Sequence, residues 1–330
     1  MNIALLLLLV PLVSSSSHLQ NCTREQYGEA AKQCFENYHK FDEWTVPTRH
    51  DYQNILIYCK RTEACFAKYQ CKEIQDIASE YQNACDQLEL RFAGVQDCMP
   101  KFYKAVYEGQ GCTADYDWTI KNLTIKRQAY ISGKQCFLDF TKTHCSKPAN
   151  HFLNFNFDKF LQFLSVPKTE KECRVIHYQL EGAQCVPAIQ DLKLKEKSLN
   201  METFQINDTD ILTVMKSCKA AEECVKGTCT LGYSHDDMIT GCKVFQLANT
   251  DFHQCIRQLT QHKTDLSHFE CLKDHDFHDK DRYSTCHRYV QKPACVKRIL
   301  EEKCGEKAVE DWEQKVEDVK KVFGCGDGLE

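Results

Sequence analysis

The feature that most restricts this chain is the spacing of its cysteines. From Cys22 they run Cys22-x11-Cys34-x24-Cys59-x5-Cys65-x5-Cys71-x13-Cys85-x12-Cys98-x13-Cys112. From Cys173 they run Cys173-x11-Cys185-x32-Cys218-x5-Cys224-x4-Cys229-x12-Cys242-x12-Cys255-x15-Cys271. One eight-residue insertion and slips of one or two residues bring the two series into register. Self-similarity over so many intervals marks an internal repeat. "CKRTEAC" at Cys59 mirrors "CKAAEEC" at Cys218.

The end of the second series, "STCHRYVQKPACVKRILEEKC", holds Cys286, Cys295 and Cys304, where the first has only Cys136 and Cys145. Matching Cys136 with Cys295 leaves 23 residues after Cys112 and after Cys271, and eight before Cys145 and Cys304. Tyr130-Ile131 then falls on Tyr289-Val290. Each copy therefore has ten shared cysteines, and the second adds Cys286 and Cys325. Their counterparts in the first copy are Arg127 and Val166, which cannot form a bridge.

All 22 cysteines lie beyond the first 21 residues, and the count is even. The chain opens with an apolar run, Ile3 to Val13, followed by Ser14–Ser17. This reads as a secretory signal peptide over residues 1–16. The run is too short for a spanning helix, and no other segment is long and apolar enough. Export makes disulfides the expected state of the cysteines. Zinc or thioredoxin-like chemistry would call for closely spaced pairs, and no Cys-x-x-Cys occurs. Sequons at Asn21, Asn122 and Asn207 agree with export. The formal net charge of −5, with both signs interspersed, gives no reason to expect nucleic acid or an anionic membrane as a partner.

Helical periodicity dominates. Ile74, Ile77, Tyr81, Cys85, Leu88 and Phe92 form one stripe; Leu153, Phe157, Phe160 and Leu164 form another; Val309, Trp312, Val316, Val319 and Phe323 form a third. Alternating strands and hairpin signals are lacking. Gly and Pro fall mainly between helices, as at Pro47, Pro100, Gly109 and Gly111. The expected fold is all-α: two tandem disulfide-stapled helical domains, 17–166 and 167–330. "SVPKTEKE", Ser165–Glu172, is the expected linker, and "LKLKEKSLNMETFQINDTD", ending at Asp210, the expected long loop. The segment Arg288–Glu302 reads as a helix, Gly305 as its stop, and Val309 onward as the returning helix. Such a hairpin sets Cys286 beside Cys325. A Cys304–Cys325 bond would have to span a helix about 27 Å long, against about 4.4–6.8 Å between bridged Cα atoms. The Cys286–Cys325 bridge should contribute roughly 3–4 kcal/mol through loop closure. The other pairings stay open.

A signal peptide followed by units of about 150 residues with regularly spaced cysteines on a helical background resembles a large family of secreted nematode proteins built on a domain of unknown function. The resemblance covers Cys22 to Cys325. It implies secretion and a role in defence or extracellular interaction, and brings no catalytic residues or cofactor.

Three segments have a chemical look. Asp274, His275, Asp276, His278, Asp279 and Asp281 crowd into one stretch, which reads either as a divalent-metal site or as a solvated loop, the loop being favoured. The first copy keeps only Asp115 and Asp117 there. "SHDD", Ser234–Asp237, cannot form a triad from adjacent residues, and no Gly-x-Ser-x-Gly elbow occurs; the chain is not expected to be an enzyme. "HFLNFNFDKFLQFL" carries Phe152, Phe155, Phe157, Phe160 and Phe163, suited either to an apolar pocket or partner surface or, by preference, to a helix buried on two sides. The expected function is a secreted module that binds a protein or glycan; the alternative is an extracellular carrier of a small apolar ligand.

Overall fold

The computed structural model describes residues 20–42, 51–168, 173, 175–201, 203–230, 232, 234–272, 277, 279 and 282–325. The signal peptide, Pro47, most of the His/Asp cluster and residues 169–172 of the linker lie outside them. Among the described residues there are fifteen α-helices and no strand. Eleven disulfides take up all 22 cysteines. The fold is all-α.

The chain divides into two compact units, one ending at Ala93 and one starting at Gly94. The first contains α1 (Arg24–Asp42), α2 (Asp51–Phe66) and α3 (Lys72–Ala93). The α3 stripe points Ile74, Tyr81 and Cys85 into a core with Ala30, Ile55 and Phe66. Phe92, at the end of that stripe, stacks on Tyr52 of α2. Three bridges staple the helices: Cys22–Cys71, Cys34–Cys65 and Cys59–Cys85.

The second unit begins with α4 (Val95–Tyr107), α5 (Leu123–Ser132), α6 (Lys134–His144), α7 (Lys147–Phe155) and α8 (Phe157–Leu164). Their core is aromatic. Phe102 meets Trp118, Phe137 and Phe140 edge-on, and Phe137 stacks on Phe160 with ring centroids 5.3 Å apart. The Trp118 indole donates to the Thr113 carbonyl at 2.9 Å, so its one polar atom is satisfied inside the core. Bridges Cys98–Cys145 and Cys112–Cys136 close this group.

The same unit continues with α9 (Val175–Ser198), α10 (Thr209–Val225) and α11 (His235–Ala248) around Ile189, Ile211, Val214, Ala221 and Phe245. Then come α12 (Asp251–Gln261), α13 (Arg282–Cys286), α14 (Pro293–Lys303) and α15 (Glu306–Val322), around Phe252, Tyr289, Ile299 and Trp312. Cys173–Cys229, Cys185–Cys224 and Cys218–Cys242 repeat the three bridges of α1–α3. Cys255–Cys304 and Cys271–Cys295 repeat the two of α4–α8. The eleventh bond joins Cys286 to Cys325, with Cα atoms 5.4 Å apart.

Four expectations about local structure are corrected. Pro100 lies inside α4 rather than between helices. The stripe Cys98, Met99, Phe102, Tyr103 and Ala105 is buried, and that burial outweighs the roughly 3 kcal/mol penalty of an internal proline. The Phe-rich segment is two helices, broken at Asn156, whose φ of −121° and ψ of 34° leave the helical region. The break sends α8 into the core on most of its sides, while Phe155 stays 76% exposed at the end of α7. The expected long loop is helical as far as Ser198, because Leu-Lys-Leu-Lys-Glu-Lys is made of strong helix formers. The described residues between Ser198 and Thr209 are loop, and Phe204 among them is buried. Finally, Arg288–Glu302 is not one helix: a π-helical turn, His287–Gln291, ends at Lys292, and α14 starts afresh at Pro293. Proline cannot donate into a continuing ladder and is well placed in a first turn. Gly305, at φ 84°, makes the turn into α15.

Candidate functional site

Helix α4 of the first copy packs against α9 of the second. Beside that contact lies a cleft of about 430 Å³, lined among others by Thr119, Lys121, Lys126, Lys168, Glu181 and Glu223. Its lining comes from the segment leading into α5, from α5 and α9, and from the end of α10. Asn122, Lys126 and Tyr130 follow one another at four-residue spacing, so they share a face of α5. Asn122 caps the helix, its Oδ1 accepting from the amides of Thr124 and Ile125 at 3.0 and 3.1 Å. Tyr130 is fully buried and its hydroxyl lies 2.9 Å from that of Tyr103. Lys126, one turn before Tyr130, is only 4% exposed.

The polar groups are unequally paired. Lys168 Nζ lies 2.6 Å from Glu181 Oε2 and also donates to the carbonyl of Gly227. Lys121 Nζ donates to the Glu223 carbonyl at 3.0 Å and to that of Lys226. These carbonyls sit at the C-terminal end of α10, where unpaired acceptors and the negative end of the helix dipole favour cations. Two lysines from the first copy and the linker thus cap a helix of the second. Lys126 has less: Nζ reaches Gln184 Oε1 at 3.4 Å, and no ion pair among the described residues. Burial pulls its ammonium below the ordinary lysine range; Glu181 opposes the shift, and Lys168 and Lys121 add to it.

The residues singled out by sequence are not brought together here. Ser234 is the N-cap of α11: its Oγ accepts from the Asp237 amide at 3.1 Å while Asp237 Oδ2 faces the Ser234 amide and hydroxyl. Those bonds hold the Asp237 carboxyl below its ordinary value. The pair is a capping box. Of the His/Asp cluster only Asp279 is described; its carbonyl accepts from Arg288 at 2.7 Å. Among the described residues Cys22, Cys71 and Glu73 bring possible ligand atoms within 4.8 Å of one another. The two sulfurs are bonded to each other, so neither is a thiolate. Phe152, Phe157, Phe160 and Phe163 are buried. Asn21, Asn122 and Asn207 are exposed. Asn207 has a φ of 62° and exchanges bonds with Asn249.

The five bridges made twice show that both copies are one kind of domain. A family model, described as a domain of unknown function, matches residues 15–174 and again 173–326. The chain belongs to the DUF19 family. No curated protein and no solved structure matches it.

The two DUF19 repeats differ at the extra bridge. Where the second has Cys286–Cys325, the first has Arg127, whose Nη1 lies 3.5 Å from Ser165 Oγ, next to Val166. Tyr130 and Tyr289 are both buried, and Ile131 and Val290 are both exposed. The cleft is not repeated in the same way: at the position of Lys126 the second repeat has Thr285. The cleft residues went unnoticed in the sequence. The one available signal was a lysine on the same helical face as a buried tyrosine.

Proposed function

We propose that the protein acts as an extracellular binding module, a disulfide-held scaffold whose surface engages a protein or a glycan rather than carrying out catalysis. The observation that carries this reading is the fate of the Phe-rich segment. Phe157 and Phe160 are used up in ring-to-ring packing with Phe137 and Tyr130. A carrier of an apolar ligand would need those rings to line an open space, whereas none of them lines the described cleft, which instead holds Lys121, Lys126, Lys168, Glu181 and Glu223. Eleven bridges suit a protein that works in an oxidising, protease-rich compartment, and no helix among the described residues is long and apolar enough to cross a membrane. We place it outside the cell, glycosylated at Asn122 and Asn207, with Asn21 a poorer acceptor because Cys22 beside it is bridged. Phe155 is the most exposed large aromatic among the described residues and is offered to a partner.

Native mass spectrometry of the secreted protein tests the reading. The expected mass carries eleven bridges, no free thiol, attached glycan and no apolar passenger. A stoichiometric lipid or other apolar molecule that survives purification would overturn it in favour of the carrier.

A further inference from the structure

The cleft beside α4 and α9 holds an ammonium that the protein itself does not neutralise. Lys121, Lys126 and Lys168 share its lining with Glu181 and Glu223, three positive charges against two negative, and the Glu223 carboxylate also lies 4.0 Å from Lys219. Glu181 is already engaged by Lys168 at 2.6 Å, and the donors of Lys121 and Lys168 go to carbonyls at the end of α10. Lys126 keeps three N–H groups in a site where it is 4% exposed, with one long bond to Gln184 at 3.4 Å. Burying an ammonium without a counter-charge is unfavourable. A volume of about 430 Å³ admits a sugar-sized molecule. One negative charge would balance the site and supply the missing acceptors.

We propose that this cleft binds a small polar molecule through a singly charged oxyanion, a carboxylate or sulfate ester, with Lys126 as its direct partner. The depressed lysine pKa agrees with an ammonium lacking its counter-ion. Thr119 and Thr228, also in the lining, suit the hydroxyls of a sugar-like body. The site goes beyond the binding-module reading and does not depend on it: an empty cleft would leave the outer surface free to engage a partner.

The test is calorimetric titration of the full secreted chain with D-glucuronate and with methyl sulfate, using methyl glucoside and sodium chloride at matched ionic strength as controls. The expected result is saturable one-to-one binding of at least one anion. Lys126→Gln should weaken it by at least about tenfold, the loss of a charge-assisted hydrogen bond. Lys142→Gln, an exposed lysine on α6, should leave it unchanged. Binding of glucuronate alone assigns a carboxylate, and of methyl sulfate alone a sulfate ester. If Lys126→Gln does not fold, amine labelling of the natural chain replaces it: the bound anion should slow modification of Lys126 and not of Lys142. Absence of saturable binding beyond the salt control, or equal affinity without Lys126, overturns the proposal.

Discussion

Replacing Cys286 and Cys325 together by alanine removes a bond that the first repeat does without. The two residues are 39 apart in sequence. Opening a loop of that length releases unfolded-chain entropy worth about 4 kcal/mol at 25 °C. This is an upper bound here, because Cys255–Cys304 and Cys271–Cys295 already restrain part of the same stretch. Both cysteines are buried, so alanine avoids placing a hydroxyl in the core. The expected loss is about 3 kcal/mol, read from guanidinium unfolding followed by tryptophan fluorescence. The slope should rise, since the unfolded chain is freed to expose more surface. A loss below about 1 kcal/mol would show that Val309, Trp312 and Val319 hold the α14–α15 hairpin by packing alone. Peptide mapping that joins Cys304 to Cys325 would refute the geometry outright, since the structure bonds Cys304 to Cys255.

Gly133→Ala should destabilise the aromatic core by about 1–3 kcal/mol: a Cβ there would sit 2.3 Å from Trp118 Cη2, against a ring with no room to move, and a lowered Tm with altered tryptophan emission would report it. His253 is held down to about 4, first by burial and then by Arg257. The unfolded chain therefore takes the proton near 6.5 and the folded one only near 4, so stability is complete above pH 6.5 and falls by ~3 kcal/mol as the pH drops to 4; a His253→Gln variant that loses as much over that interval would refute the assignment. Thr124→Ala should remove the glycan of Asn122 and leave the α5 cap intact, whereas Asn122→Ala should remove both and cost about 1 kcal/mol. Equal unfolding curves for the two unglycosylated variants would count against the cap.

Legibility followed the range of the interactions. The stripe Ile74, Tyr81, Cys85 was readable because helical periodicity is local, and those residues do face one core. The Phe152–Phe163 segment misled in one respect: its apolar positions agree with burial, but the break at Asn156 depends on how α8 must turn to meet Phe137. The length of α9 was legible in principle, since helix formers run to Ser198, but the inserted residues invited a loop. Lys126 was nearly invisible, because a lysine on a helix is ordinarily solvated and its burial beside Gln184 depends on residues distant in sequence.

Spacing and periodicity are properties of a single chain segment, so the tandem DUF19 organisation, the helical texture and the two cysteines outside the repeat were readable before any fold was known. The pairing of the ten shared cysteines in each copy had to come from the folded chain, since a bridge needs Cα atoms within about 7 Å and that depends on which helices cross. So did the packing of the first copy's α4 on the second copy's α9. The charged cleft is likewise a product of packing between segments: Lys121 and Lys126 of the first copy, Lys168 of the linker and Glu181, Gln184 and Glu223 of the second line it together, so no single stretch of sequence contains it.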